Sequence, residues 1–394
     1  MRLLARLAAA TLLTVTPVAA GSASAAAPEP TPVPLHVAPN AVPGKYIVSL
    51  DKGVDAAALA EKLKLKPTFV YQAAMNGFAV PLTPLQLDTV RVSPGVKSVE
   101  SDATVFAPPM TPATATTVKA PASTWGLDRI DQDALPLDGS VTVKGNGAGV
   151  TAYVLDTGID YAHTEFGGRA AFGFDAFKDG RNGQDCQGHG THVAGTVGGR
   201  TYGVARKVNL VSVRVLDCDG RGEFSGIIAG LDWVAGNAEQ PAVLNGSLGG
   251  DRSEALNNAV NALSDAGVLP VVAAGNSSVD ACTISPASAP RVFTVAASNR
   301  WDEETSFSNY GRCVSLYAPG EQIDSARMGG GAAALSGTSM AAPHVTGVAA
   351  LYKAEHPNAA PSEVVEFLDS QSTKDVLTSV SPATPNQLLS TGGL

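Results

Sequence analysis

Val150-Thr151-Ala152-Tyr153-Val154-Leu155-Asp156-Thr157-Gly158 is the stretch from which the fold is read. The apolar run to Leu155 reads as a strand buried on both faces. Gly158 marks the turn after it, so Asp156 stands at the carboxyl end of a strand. That is where open α/β sheets place their sites. Further strands are expected at 208–214, 242–245, 269–273 and 293–297. They alternate with helical stretches at 225–237 and 252–266. This alternation predicts an α/β fold with a mainly parallel sheet and helices on both faces.

Two other segments give Asp156 possible partners. Gly337-Thr338-Ser339-Met340 opens a helix expected to run to Leu351. A serine there is exposed near the positive end of the helix dipole. Gly188-His189-Gly190-Thr191-His192 supplies an imidazole. Serine is a weak nucleophile at neutral pH and needs a base. Histidine can take the proton and return it to a leaving amine. A buried carboxylate fixes the imidazole tautomer. The strand 271–274 ends in Gly275-Asn276, whose side-chain amide can donate to an oxyanion. The bland alternatives are a zinc site on His189, His192 and Asp156, or a strand-end Asp that merely caps a turn. The His spacing is i, i+3 with no Glu after the first, unlike a zincin. His192 and His344 read as structural. Gly145-Asn146-Gly147-Ala148-Gly149 precedes its strand, which argues against a dinucleotide loop.

With Asp156, His189, Asn276 and Ser339 in place, residues 122–394 resemble the subtilases, most closely the proteinase K and aqualysin branch. The chain order Asp, His, Ser is that of subtilisin, taken from that family and not deduced from these residues. The resemblance implies a subtilisin-like three-layer fold. It also implies a serine endopeptidase with Asp156, His189, Ser339 and Asn276 as its catalytic residues, and no cofactor for catalysis.

Arg2 and Arg6, the apolar stretch 7–20 and Ala23-Ser24-Ala25 read as a signal peptide spanning 1–27. A secreted, extracellular protein is therefore expected. Residues 28–43 read as a flexible linker. A unit at 42–107 shows a β-α-β-β-α-β order, with one middle strand unclear from pattern. It resembles the inhibitory propeptide of subtilases, an α+β ferredoxin-like domain; an independent binding module is the alternative. Residues 108–122 form an uncharged, Pro-rich linker at or near the maturation site. The catalytic domain is assigned to 123–394.

The 394 residues are 44% apolar and carry a net charge of −9, which suits a large core and disfavours nucleic acid as a partner. No later run is long enough to cross a membrane. A monomer acting on protein and peptide substrates, with its own propeptide as inhibitor, is expected. Four cysteines in an exported chain suggest two bridges, and sequence alone leaves three pairings open. The resemblance implies Cys186–Cys218 and Cys282–Cys313.

Gly220-Arg221-Gly222 and Ser247-Leu248-Gly249 have the small residues that let a peptide backbone approach as an added strand. By resemblance they flank the non-primed side, and Ala273-Ala274-Gly275 walls the S1 pocket. No acidic or basic residue falls on these stretches in a place that would select a charged P1 side chain, so an apolar or aromatic P1 is expected. Structural calcium is possible. Ser315 stands where proteinase K-like enzymes use an Asp, which counts against that site. Asp128, Asp131, Gln132 and Asp138 match a second, aqualysin-like site.

Overall fold

The structure is a computed structural model that describes residues 31–107 and 125–394; the expected signal peptide and the linker at 108–122 lie outside them. Residues 32–394 form one unit.

Its N-terminal portion is built from β1 (Leu35–His36), β2 (Ala41–Leu50), α1 (Ala56–Lys62), β3 (Phe69–Tyr71), β4 (Gly77–Pro81), α2 (Pro84–Arg91) and β5 (Val96–Phe106). Helix α2 starts as its sequence dictates. Thr83 and Gln86 form a reciprocal capping box, and Pro84 takes the first position, where no N–H is needed. The sheet order is β1-β5-β2-β4-β3. β3 is the middle strand that pattern left unclear; three residues are too short to show a period. The linker expected at 28–43 is corrected over its described part. Leu35–His36 pairs in parallel with Val99–Glu100, and the Ala38 N–H donates to Ser101 Oγ at 2.8 Å. Backbone pairing, which composition does not reveal, holds this segment.

The second portion continues through α3 (Trp125–Ile130), β6 (Thr151–Asp156), β7 (Ala170–Asp175), α4 (His189–Gly198), β8 (Asn209–Arg214), β9 (Arg221–Glu223) and α5 (Phe224–Asn237). Then follow β10 (Ala242–Gly246), β11 (Gly250–Asp251), α6 (Glu254–Asp265), β12 (Leu269–Ala273), β13 (Ile284–Ser285), β14 (Phe293–Ser298) and β15 (Leu316–Pro319). The chain closes with β16 (Ile323–Ala326), β17 (Ala332–Leu335), α7 (Thr338–Glu355), α8 (Pro361–Gln371), β18 (Thr373–Lys374) and β19 (Gln387–Leu388).

The main sheet has nine strands in the order β18-β19-β15-β14-β12-β10-β6-β8-β7, and only the β18–β19 pair is antiparallel. Strand alternation feeds two cores. Ala152 and Val154 of β6 pack with α4 and α7, through Val193, Val197, Val345 and Val348. Tyr153 and Leu155 pack on the other face with α5 and α6, through Ile227, Leu231, Leu256 and Val260. This three-layer, mainly parallel architecture is the fold expected from the sequence, preceded by the small α+β domain.

The second core does not stop at the main domain. Ile47, Tyr71, Ala79, Ala103 and Val105 of the N-terminal sheet belong to it, while Val48, Phe78, Val80 and Val99 form a separate core beneath α1 and α2. One face of the small sheet is thus buried on α5 and α6, so undocking would expose an apolar surface to water.

Candidate active site

Asp156 ends β6, His189 opens α4, and Ser339 is the second residue of α7. Gly190 lets α4 approach the strand end. A Cβ there would collide with the Gly158 carbonyl oxygen and lie 3.1 Å from Asp156 Cβ. The close approach brings His189 Nδ1 to 2.8 and 2.9 Å from the two Asp156 carboxylate oxygens. With a carboxylate as acceptor, Nδ1 carries the proton. Nε2 is buried without a partner. Burial opposes charge on this ring, yet Asp156 and Asp185 outweigh it and hold its pKa above the ordinary histidine value.

The Ser339 hydroxyl donates to the Ser247 carbonyl at 3.3 Å, so its single proton does not go to His189 Nε2. Ser339 Oγ and His189 Nε2 are thus not engaged with each other. The start of α7 explains its support. Pro343 sits inside the helix and has no N–H to offer the Ser339 carbonyl one turn back. The Ser247 hydroxyl takes that acceptor at 2.9 Å, and Asn245 Nδ2 donates to Ser247 Oγ at 2.8 Å.

Asn276 is oriented by Thr338, whose N–H and hydroxyl both donate to Asn276 Oδ1 at 2.8 Å. This settles which way the amide points and leaves its NH₂ group toward the Gly337–Ser339 backbone. Gly275 has φ +105°, and its N–H donates to Thr338 Oγ1 at 3.1 Å. Asn309, which motif reading did not single out, organises this loop. Its Nδ2 donates to the Ala274 carbonyl, and its Oδ1 accepts from Ser277 and Val279.

The two expected substrate-binding edges hold a strand already. β5 pairs antiparallel with β9, with Thr104 opposite Glu223, Val105 opposite Gly222 and Phe106 opposite Arg221. Phe106 also bridges Gly249, and the Ala107 N–H donates to the Gly220 carbonyl at 2.7 Å. Val105 is buried against Phe224 and Gly250. The end of the N-terminal domain therefore lies between both edges as an added strand. The Ser247 side chain supports Ser339, and the Leu248 side chain is buried in the core. Ala273 and Ala274 are buried, and Ala273 ends β12 beside Gly275.

The cysteines bond as Cys186–Cys218 and Cys282–Cys313. The first ties the loop before α4 to the turn before Gly220. His192 does not join His189 on a common ligand. Its Nε2 lies 3.0 Å from the carbonyls of Ile323 and Ala333, and burial lowers its pKa to about 3. His344 Nδ1 pairs with the Met340 carbonyl. Both are structural, and their geometry counts against the zinc alternative.

Two acidic side chains of β5 meet the starts of helices in the larger domain. Asp102 Oδ1 accepts from the Ser225 N–H at 3.0 Å, at the start of α5, and Glu100 Oε2 accepts from the Ala255 N–H at 3.2 Å, at the start of α6. Burial pushes the Asp102 pKa up to about 6, against Ser225 hydrogen bonds that pull it down, and raises Glu100 as well. The sign follows. An acid raised in the docked state favours that state fully below its ordinary value of 3.8, and the contribution is lost as pH rises through about 6. The Ser339→Ala precursor is therefore expected to gain stability relative to its Asp102→Asn counterpart as pH falls from 8 to 4, by up to ~3 kcal/mol. Denaturant unfolding of both proteins across that range measures it; parallel curves would contradict it.

Sheet, site and docked domain together point to a serine peptidase that carries an N-terminal domain packed against it. Comparison with known proteins gives the family. Residues 147–389 match the subtilase family model, and residues 60–107 match the peptidase inhibitor I9 model. The chain is 48% identical over 381 residues to an extracellular serine proteinase of Thermus sp. (strain Rt41A), covering 90% of this chain and 91% of that one. It is 49% identical over 309 residues to an alkaline serine exoprotease A of Vibrio alginolyticus, covering 78% of this chain and 57% of that one. A solved cold-adapted subtilisin-like serine proteinase superposes with a TM-score of 0.68 at 50% identity, over 69% of this chain and 99% of that one.

The chain belongs to the subtilase family. It is an extracellular serine proteinase that carries an I9 inhibitor propeptide. Among the described residues no helix is long and apolar enough to cross a membrane.

Proposed function

We propose that the chain is the precursor of an endopeptidase that cuts peptide bonds through Asp156, His189 and Ser339. The observation that carries this reading is the His189 ring, fixed by both Asp156 oxygens at Nδ1 and left unpartnered at Nε2. The Ser339 hydroxyl turns from Ser247 to His189 Nε2, which takes its proton as Oγ attacks the scissile carbonyl. The imidazolium, stabilised by Asp156, then protonates the leaving amine. A water attacks the acyl-enzyme by the same route in reverse. The Asn276 NH₂ group donates to the oxyanion, together with the Ser339 N–H in the first turn of α7, where a helix supplies no acceptor of its own. A fluorophosphonate should modify the mature enzyme at Ser339 alone, and His189→Ala should abolish the labelling. Labelling that persists in His189→Ala would refute the assignment of the base.

Asn276→Leu keeps the volume and removes the donor. Turnover is expected to fall roughly 10²–10³-fold with little change in KM, because the bond strengthens only in the transition state. Steady-state kinetics on a peptide amide checks this; a change confined to KM would point to ground-state binding.

Substrates bind as β5 binds, as an antiparallel strand between Arg221–Glu223 and the Ser247–Gly249 edge. Main-chain bonds give breadth. The apolar seat of Val105 and the uncharged Ala273-Ala274-Gly275 wall favour apolar or aromatic side chains, including P1. The docked tail gives the propeptide its inhibitory role, and cleavage beyond Ala107 by Ser339 would release the two domains as separate chains.

Structural calcium is proposed at Asp128, Asp131 and Asp138. Asp128 Oδ1 is buried without a partner, and burial with neighbouring carboxylates raises the pKa of Asp128 and Asp131. Such a set of oxygens suits a hard cation. Gln132 fits less well, since its amide is spent on the carbonyls of Ala134 and Pro136 and the N–H of Asp138. Among the described residues no three acidic, His or Cys side chains already converge as a metal cluster, so the site would close on binding. Ser315 Oγ accepts from the Thr294 N–H and is engaged within the sheet. Calcium at 100 times its Kd should stabilise the mature enzyme by about 2.7 kcal/mol. EDTA should lower Tm in wild type and leave Asp128→Asn unmoved; an equal drop in both would exclude this location.

A further inference from the structure

We propose that Asp185 is a positioning residue of the active site, a second buried carboxylate that locks the Asp156 strand end to the His189 helix start. The proposal rests on the catalytic reading of Asp156 and His189 given above. Asp185 lies in the loop before α4 and is 8% exposed. Its Oδ1 accepts from Thr157 Oγ1 at 3.0 Å, from the Gln187 N–H at 2.9 Å and from the Gly188 N–H at 2.8 Å. Its Oδ2 accepts from the Thr191 N–H at 2.9 Å and from Thr191 Oγ1 at 2.6 Å.

These contacts reach both halves of the site. Thr157 follows Asp156, and its N–H donates to Asp156 Oδ1 at 2.7 Å. Thr157 Oγ1 in turn accepts from the Gly190 N–H at 2.9 Å, next to His189. Helix α4 opens on Gly188, which has φ +109° and no side chain to cap the first turn. Asp185 reaches over from outside the helix to satisfy the N–H groups that the missing cap leaves open. One carboxylate therefore fixes the rotation of α4, and with it the plane of the imidazole, relative to the oxygens of Asp156. A displacement of that ring by a fraction of an ångström would weaken proton transfer without touching the substrate groove.

Asp185 also acts through its field. It and Asp156 are the negative groups that favour charge on His189; His192, three residues on, is kept neutral by burial and holds its Nε2 against the Ile323 and Ala333 carbonyls. Removing the Asp185 charge should make imidazolium less favourable. The enzyme loses its base when His189 protonates, so the acid limb of the rate profile should move to lower pH.

Asp185→Asn preserves volume and one acceptor oxygen, but it turns an NH₂ group toward donors of Thr157 or Thr191. We expect kcat to fall roughly 10–100-fold with KM within about twofold, and the acid limb to shift downward. Thr157→Val, which removes the strand-end link to Asp185 and the hydroxyl that accepts from the Gly190 N–H but keeps the Asp185 charge, should lower kcat less and leave the acid limb in place. In the Ser339→Ala background, NMR titration of His189 should show the same downward shift with Asp185→Asn, independent of turnover. Should Asp185→Asn fail to fold, Thr157→Val kinetics alone decides, and a wild-type kcat there would overturn the proposal. A folded Asp185→Asn enzyme with wild-type kcat and an unmoved His189 titration would also overturn it, while leaving the triad intact. Loss of the triad reading itself would show as full activity in Ser339→Ala.

Discussion

Ser339→Ala is expected to leave a folded precursor whose turnover is lower by several orders of magnitude. Nothing around Ser339 depends on its hydroxyl for packing. The Oγ makes one 3.3 Å bond to the Ser247 carbonyl, and the supports of this turn act on backbone groups. Alanine also retains the helical geometry of α7. The loss therefore falls on chemistry and, because this variant is expected to stay uncleaved, on the docked β5 that it retains. Residual activity over water would come from the Asn276 donor and from groove binding. His189→Ala should be as damaging, and the double variant scarcely worse than either, because the residues act as one unit. Single-turnover kinetics on a peptide substrate measures this. Near wild-type turnover in Ser339→Ala, or additive losses in the double variant, would contradict the scheme.

Asp156→Asn should cost on the order of 10⁴ in kcat with the fold intact. The local geometry gives the reason. Asp156 Oδ1 accepts from the Thr157 N–H at 2.7 Å as well as from His189 Nδ1. In the variant the amide oxygen should stay with Thr157, which places the NH₂ group against Nδ1. Nδ1 must then accept, and the ring proton moves to Nε2. A histidine in that tautomer cannot take the proton of Ser339. The loss should ease as pH rises far enough for the tautomer penalty to be bypassed by deprotonated serine or hydroxide attack. The pH–rate profile of the variant checks it; a loss below tenfold would mean that Asp156 only packs.

The sequence made much of this visible, for physical reasons. β6 was legible because a strand buried on both faces is almost uniformly apolar, and its Asp could only stand at the strand end. The start of α7 was legible because a serine among small residues opens an apolar run; that His189 opens a helix was not, since its segment showed only an imidazole among small residues. The rest was hidden in long-range contacts. Asp185 stands four residues before His189, and nothing in that spacing shows that one carboxylate serves Thr157 as well as Thr191. The role of Ser247 follows only from the missing N–H of Pro343, 96 positions away in sequence (343 − 247). Asn309 acts on a loop more than thirty residues upstream. Strands as short as Leu35–His36 and Phe69–Tyr71 carry no periodicity, and only pairing makes them strands.

The docked tail gives the sharpest test of the whole account, that Ser339 cuts the chain to which it belongs. β5 runs along the Arg221–Glu223 edge through Phe106 and Ala107, and the peptide bond cut by Ser339 is expected to lie after them in the same chain. Intact mass and N-terminal sequencing should be compared for wild type and Ser339→Ala, each purified free of other proteases. Wild type should yield a separate catalytic chain that begins after Ala107 and before Trp125, and Ser339→Ala should remain one chain that still includes residues 42–107. Loss of those residues from purified Ser339→Ala would mean that another enzyme performs the maturation.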